Sequence, residues 1–573
     1  MKTCITALSL LISISCISQN NIFTTNPITT EVLKGNYTAL AEQIADPNEL
    51  AQVLSEEINT DSLLNYLLCL EKFETRNTGS DTLSTTRGIG AARTWIHERL
   101  QGMQAESPIE NYVDYLEFDR EICGMDHHKN VLLVHPGADP DQGVVIIEAH
   151  MDSRCDVSCD TDCLANGIED NGSGTALVME LARVMTKRVY NRTLVFMLTT
   201  AEEQGLIGAD AMARLCQNEG IDVKAVLNND VIGGIICGET ASPPGCPGPG
   251  HVDSTQVRIF SNGSAQSSHK SLARYTKMQY NERVMPTAAV PMLISIMSAE
   301  DRTGRGGDHI PFRERGFTAV RFTSANENGD AGVGPDYHDH QHTSDDILGM
   351  DTDNDNVIDS FFVDFNYLKR NSIINGLSAG MIANSPAVPD IELEQEGDQI
   401  KITIITDHPT DLYKVGIRSE SNDFDSLYVL DGGKELFVPA PDPNTFFLAS
   451  ASYVDEIGVE SCFSEEKFIL VTTSTDPITE IKTPKVRLLQ NRPNPFDEAT
   501  TIGWFVTEKI NYSDARIVVH DTDGIMIRQQ EIELNEGMNE WVFTHGWGKQ
   551  GLLYYSIYID GKLVETKSMI FAY

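Results

Sequence analysis

Positive charge is scarce in this chain. Only 43 lysines and arginines stand against 84 aspartates and glutamates, a formal net charge of −41. Such a field repels phosphate backbones and anionic lipid surfaces, which argues against nucleic-acid binding as the main function. Long apolar runs are missing too. The longest, Ile5 to Ile17, is shorter than the about 20 residues that cross a bilayer, so no membrane span is expected. What remains is ordinary globular usage, with 41% hydrophobic and 22% charged residues, which excludes wholesale disorder and allows a sizeable core without staples. At roughly 150 residues per domain, 573 residues suggest about three or four folding units.

Met1-Lys2-Thr3, the apolar run and Ser18-Gln19-Asn20 follow the charged, apolar and small-residue order of a signal peptide. Residues 1–18 are therefore expected to be removed and the mature protein exported. Cys16 is a poor lipoprotein acceptor, because Ser13-Ile14-Ser15 before it lacks the usual leucine. Nine cysteines follow: Cys69, Cys123, Cys155, Cys159, Cys163, Cys216, Cys237, Cys246 and Cys462. An odd number leaves at least one thiol unpaired within the chain. Cys155, Cys159 and Cys163 read as disulfide partners pinning a long loop rather than as a metal cluster, and Cys237 and Cys246 bracket a turn-rich segment that a disulfide could close.

Residues 30–70 carry apolar positions at helical spacing, from Val32 and Leu40 to Leu67 and Leu68, and 19–64 read as an N-terminal helical segment. From about 88 to 385 strands and helices alternate, with strands at 143–147, 193–198, 223–227, 257–260 and 317–322. Helices are expected at 172–186, 208–219, 268–280 and 357–382. The pattern predicts an α/β fold, a largely parallel, mixed sheet sandwiched by helices, over a domain placed at 65–385. Short alternating strands over 390–473 predict a small β-sandwich, 474–484 a polar linker, and 485–573 a second all-β module.

The chemistry lies where strands end. Strand 144–148 runs into Glu148-Ala149-His150-Met151-Asp152-Ser153, helix 172–186 follows Glu169-Asp170-Asn171-Gly172, strand 193–198 runs into Ala201-Glu202-Glu203-Gln204-Gly205, and strand 223–227 into Asn228-Asn229-Asp230. Carboxyl ends of strands in open α/β sheets are where ligands bind, so these clusters can converge. Histidine with several carboxylates and no thiolate suits zinc in a hydrolytic site. One carboxylate can bridge two ions, each with a further histidine and carboxylate. His150, Asp170, Glu203, Asp230 and a late histidine meet that need, leaving Glu202 as general base. The late histidine is one of His338, His340 and His342, and physics alone does not choose. Asp351-Thr352-Asp353-Asn354-Asp355-Asn356 resembles a calcium loop but lacks its glycine and closing glutamate, so capping of helix 357–382 is expected instead.

Ala149-His150-Met151-Asp152-Ser153, Glu169-Asp170-Asn171-Gly172-Ser173-Gly174, Ala201 to Gly208, Asn229-Asp230, Asp308-His309-Ile310-Pro311-Phe312 and His342 to Asp346 together resemble the co-catalytic di-zinc peptidases of the aminopeptidase Y and glutamate carboxypeptidase type, peptidase family M28. The resemblance implies two zinc ions: His150 and Asp230 on one, Glu203 and His342 on the other, and Asp170 bridging. It further implies Glu202 as base for a zinc-activated water, Asp152 as the carboxylate orienting His150, and a cis peptide at Asp170-Asn171. The expected substrates are peptides with a free N-terminus. Tyr337 is a candidate oxyanion or substrate contact, with packing as its other reading. Glutaminyl-peptide cyclotransferases share the fold, but they carry Trp where Gln341 stands here. A carboxypeptidase would need a basic pocket, for which Arg302 and Arg305 are the clustered candidates.

Residues 390–473 look like a fibronectin type III sandwich. Leu488 to Phe496, Thr500-Thr501-Ile502, Asp523-Gly524, Gly551 to Tyr555 and Lys567 to Ile570 resemble the C-terminal sorting domain of type IX secretion cargo. That implies an encounter with the type IX secretion machinery, export through the periplasm, and an extracellular or cell-surface location.

Overall fold

The computed structural model describes residues 21–40, 46–236, 250–263, 267–301, 306–326, 340–355, 357–419, 421–443, 445–471, 485–492, 494–496, 499–545 and 550–572. The expected signal peptide, the Cys237/Cys246 pair, Arg302, Arg305, Tyr337, His338 and the expected linker 474–484 lie outside them.

In chain order the first part comprises β1 (Ile22–Thr24), α1 (Pro27–Leu33), α2 (Pro47–Glu57), α3 (Thr60–Glu71), α4 (Gly88–Glu106), β2 (Tyr112–Ile122), β3 (Met125–His135), β4 (Val144–His150), α5 (Ser173–Met185), β5 (Thr193–Thr199), α6 (Ile207–Glu219) and β6 (Val223–Asn229). Then come β7 (Gln256–Ser261), α7 (Ser268–Arg283), β8 (Leu293–Ile296), α8 (His309–Glu314), β9 (Ala319–Ser324), the short strands β10 (Gly349–Met350) and β11 (Ser360–Phe361), and α9 (Phe365–Asn384). Nine strands form one sheet in the order β1-β2-β3-β5-β4-β6-β9-β7-β8. Its centre, β5-β4-β6-β9, is parallel, while β1, β2 and β3 join antiparallel. The sheet is thus less parallel than the alternation suggests. The long β2–β3 hairpin leaves no clean strand signal in the sequence, because its half-exposed strands carry many charged residues.

Strand β4 shows why the layers form. Val145, Ile147 and Ala149 join the core shared with α2, α3, α5 and α9, whereas Val144 and Ile146 point into the opposite core with α6 and α8. A strand buried on both faces reads as a continuous apolar run, and this one does. The expected helical run over 30–70 is instead three helices. Asn26 caps α1 ahead of Pro27, and Asn59 caps α3 by accepting from Asp61 N at 2.8 Å. Helix α3 spans the division expected between 64 and 65, and its Leu63, Leu67 and Leu70 belong to the main core.

One expectation is corrected. The last helix begins at Phe365, not near 357, and its N-cap is Asp364, which accepts from Tyr367 N at 2.7 Å. The Asp351 segment therefore does not cap it. It forms the turn joining β10 to β11, where Asp351 Oδ1 accepts from Asn354 N at 2.7 Å; the turn's own amides satisfy the carboxylate locally.

Two all-β units follow. The first has β12 (Ile391–Glu396), β13 (Gln399–Ile404), β14 (Leu412–Arg418), β15 (Ser426–Asp431), β16 (Glu435–Pro439), β17 (Phe446–Tyr453) and β18 (Lys467–Leu470), in sheets β12-β13-β16 and β15-β14-β17-β18. It is not loosely tethered: Val459 and Phe463 from its β17–β18 connection are buried in the α/β core. The second has β19 (Val486–Leu488), β20 (Ala499–Val506), β21 (Ala515–Asp521), β22 (Met526–Glu531), β23 (Gly537–Thr544), β24 (Gly551–Ile559) and β25 (Lys562–Phe571), in sheets β19-β20-β23 and β22-β21-β24-β25. Among the described residues no helix is long and apolar enough to cross a membrane.

Candidate metal centre

Because β5, β4 and β6 are parallel neighbours, their carboxyl ends stand side by side. His150 is the last residue of β4, Glu202 and Glu203 follow the end of β5, and Asp230 follows β6. Asp170 lies just before α5, and Asn171 ties that helix start to the β6 end: its Nδ2 donates to Asn229 O at 2.8 Å, and its Oδ1 accepts from Gly174 N at 2.9 Å. The approach is close enough to require glycine at 174, where a Cβ would come within 2.3 Å of Asn229 O. Gly208 lets α6 start against Thr200 in the same way, a Cβ there meeting Thr200 O at 2.2 Å. The Asp170–Asn171 peptide is cis. Ala201, Val231 and His342 hold positive φ of 61°, 57° and 57°, conformations that cost non-glycine residues energy and cluster at functional sites.

Two groups of donors result, and they share one residue. His150 Nε2 lies 3.2 Å from Asp170 Oδ1 and 3.3 Å from Asp230 Oδ1. His342 Nε2 lies 3.0 Å from Asp170 Oδ2 and 3.3 Å from Glu203 Oε2. Each set of three ligand atoms lies within 4.8 Å of one another. Of the late histidines among the described residues, His342 is the one in the cluster; His340 faces Asp345 O at 3.0 Å and packs against Phe362. A cavity of about 370 Å³ opens over both groups, lined by Asp170, Glu202, Glu203, Asp230 and His342 together with Arg154, Leu206, Val231 and Arg321.

Asp152 sits otherwise than a simple carboxylate partner of His150. The imidazole Nδ1 is nearer to the Asp152 main-chain oxygen, 3.0 Å, than to its carboxylate, 3.7 Å. The carboxylate accepts instead from the amides of Glu202 and Glu203, both at 3.3 Å, and from Thr78 Oγ1 at 3.2 Å. It thereby aims the carboxylate pair after β5.

Four supporting residues were not singled out by sequence. Asp346 accepts from Glu169 N at 2.8 Å and Asp170 N at 3.0 Å, fixing the shared ligand's backbone. The fully buried Arg76 donates to Met151 O and Gly167 O, both at 2.7 Å, bolting the loop after β4 to the loop before α5. Arg154 Nε donates to Glu203 Oε2 at 2.8 Å, and Arg321 Nη2 stands 3.0 Å from Asp230 Oδ2. Only Asp346 lay inside a motif; the arginines carry no local spacing signal. Arg154 immediately precedes a loop stapled by two disulfides, Cys155–Cys163 and Cys123–Cys159; Cys69, Cys216 and Cys462 are free thiols.

The donor set fits zinc. Burial alone would lower the His150 pKa, but Glu202, Asp152, Asp170 and Asp230 outweigh it and hold it well above the usual value. For Asp170 burial pushes upward, and the two histidines overcome it to hold the carboxylate well below its ordinary range. The pocket thus places its imidazole nitrogens among carboxylates, an environment that demands positive charge. Glu203 Oε1 is buried with no hydrogen-bond partner among the described residues, as a metal-facing oxygen would be. Burial raises the Glu202 carboxyl well above its ordinary value, against the opposing pull of His150.

The sequence pattern of peptidase family M28 matches residues 130–360. A probable zinc metalloprotease of Leptosphaeria maculans is 30% identical over 430 residues, covering 70% of this chain and 93% of that protein. Another from Pyricularia oryzae is 33% identical over 335 residues, 55% of this chain and 62% of that one. Among solved structures, LapA of Legionella is similar at 20% identity with a TM-score of 0.43, over 61% of this chain and 80% of that one. A glutaminyl cyclase of Porphyromonas gingivalis is similar at 16% identity with a TM-score of 0.37, over 56% and 98%.

Proposed function

The chain belongs to peptidase family M28 and is a zinc metallopeptidase, and on that premise we propose that it is a secreted di-zinc aminopeptidase. The observation that carries the reading is the pair of donor groups sharing Asp170, with Glu202 lining the same cavity. His150 and Asp230 would hold one ion, Glu203 and His342 the other, and Asp170 both. Bound zinc supplies Lewis acidity toward a peptide carbonyl and lowers the pKa of a nearby water. Glu202 is the group in reach to accept that water's proton; its burial holds its proton affinity high, so it can then pass the proton to the leaving amine. Asp152 orients Glu202 and Glu203 together through their amides. Within the family, the choice of aminopeptidase over cyclotransferase follows the motifs, with Gln341 standing where the cyclotransferases carry Trp.

The three-plus-four strand order of 391–470 supports the fibronectin type III reading. The sorting role of 485–573, with export by the type IX secretion machinery, rests on its motifs. Purified mature protein should cleave free but not N-acetylated aminoacyl substrates, lose the activity to chelator and regain it with zinc. Zinc-loaded protein that cleaves neither, but cyclises N-terminal glutamine, would replace the aminopeptidase reading with that of a cyclotransferase.

A further inference from the structure

The first β-sandwich reaches the metal centre through a chain of named contacts. Asn422, on the β14–β15 connection, donates from Nδ2 to Ser298 Oγ at 2.8 Å, and its main-chain oxygen accepts from Arg274 Nη1 at 3.2 Å. Ser298 follows edge strand β8, and its carbonyl accepts from the buried Lys270 Nζ at 3.1 Å. Three residues on, Asp301 Oδ1 accepts from Arg321 Nη1 at 2.6 Å, and the other arm of that guanidinium meets Asp230 at 3.0 Å. Asp301 and Arg321 are 4% and 3% exposed. Segment 297–301 is therefore held from β7, where Met297 N donates to Ile259 O at 2.9 Å, from α7 and from the sandwich, and it delivers Asp301 to the arginine.

The anchorage behind Asn422 is buried and charged. Glu466 of the sandwich takes Arg418 Nε at 2.6 Å and stands 3.7 Å from Arg274 of α7. Glu460 accepts from Gln279 Nε2 at 3.0 Å and from Lys414 Nζ at 2.8 Å. Of these, the Glu466–Arg274 and Glu460–Gln279 contacts cross between the sandwich and α7 and are lost if the surfaces part, which makes the interface costly to open. A tethered accessory module would not need it.

We propose that the first β-sandwich is part of the catalytic unit, with Asn422, Ser298 and Asp301 as positioning residues that set Arg321 against the metal-ligating carboxylate of Asp230. This rests on the di-zinc reading. Asp301 shares the Arg321 charge. Without it the guanidinium bears more strongly on Asp230 and competes with a metal for its electrons.

The test is zinc affinity of the full mature chain by competition with a chromogenic chelator, alongside thermal unfolding of the metal-free protein. Removing a partner that orients a ligand typically costs about 10- to 100-fold in affinity, so Asp301→Asn should weaken the ion held by His150 and Asp230 by about tenfold. Asn422→Ala and Ser298→Ala, one step further out, should each weaken it about threefold, and the double variant no more than either single one, because both break the same link. Lys277→Ala, which breaks the Lys277–Asp423 pair of the same interface, should leave zinc affinity and kcat/KM unchanged. Unchanged affinity in Asn422→Ala and Ser298→Ala, or an equal loss in Lys277→Ala, overturns the proposal. The wild-type zinc count tests the di-zinc reading separately, since the variant-to-wild-type ratio is read even for a single ion.

Discussion

His342 Nε2 stands 3.0 Å from Asp170 Oδ2. The other oxygen of that carboxylate faces His150, so one side chain couples two donor groups that the sequence holds far apart. Asp170→Asn should therefore abolish binding at both, whereas His342→Ala should spare the His150 group. Metal analysis after dialysis should find bound zinc falling from about two ions per chain to near none in the first variant and to about one in the second.

Glu202 lines the cavity without belonging to either donor group. Glu202→Gln keeps the shape and removes the proton acceptor. Zinc content should stay at the wild-type level while kcat falls at least about 100-fold, the usual scale of general-base loss. A fall in zinc content matching the fall in kcat would make Glu202 a ligand instead.

Asp152 tests how the carboxylate pair is aimed. Its carboxylate collects the Glu202 and Glu203 amides and Thr78 Oγ1. Asp152→Ala leaves those buried donors unpaired, and kcat/KM should drop about 10- to 100-fold. Thr78→Val removes one of the three donors and should cost less in the same assay.

Acid should unfold the protein partly through His135, far from the cavity. Its Nε2 donates to Arg188 O at 2.6 Å, and its Nδ1 meets the side-chain amide of Asn111 at 2.7 Å, whose Nδ2 serves as the donor to a neutral ring once the amide is turned. Burial lowers its pKa from 6.5 to about 4. The folded state therefore keeps a neutral ring while the unfolded chain takes up a proton. Stability contributed above pH 6.5 is lost as pH falls from 6.5 toward 4, by roughly 3 kcal/mol in all. Denaturant melts across that range should show this slope in the wild type and a shallower one in His135→Gln.

Much of the α/β domain was legible. Val144 to Ile147 reads as a strand because both faces of β4 are buried, so its apolar run is unbroken. The hairpin β2–β3 was not, since one-sided burial mixes charged and apolar residues. The start of α9 is not legible, since Asp351 to Asp355 looks like a cap in sequence, while Asp364 makes the hydrogen bond. Motif residues such as His150, Glu203 and Asp230 could be picked out because each sits at a strand end and carries a metal-binding group. Arg154 and Arg321 could not, because an arginine between unrelated elements leaves no period or spacing.

The sequence by itself determined which side chains could bear the chemistry, since ligand type and strand-end placement are local properties. It determined the peptidase family as well, because several motifs recur in one order. Only the tertiary structure set His342, which the motifs already named, against one oxygen of Asp170 and His150 against the other. It alone tied the sandwich through Asn422 and Ser298 to the segment carrying Asp301, and set Arg321 between Asp301 and Asp230. Those relations depend on which surfaces of distant segments pack together, and packing is settled by the whole buried core rather than by any stretch of chain.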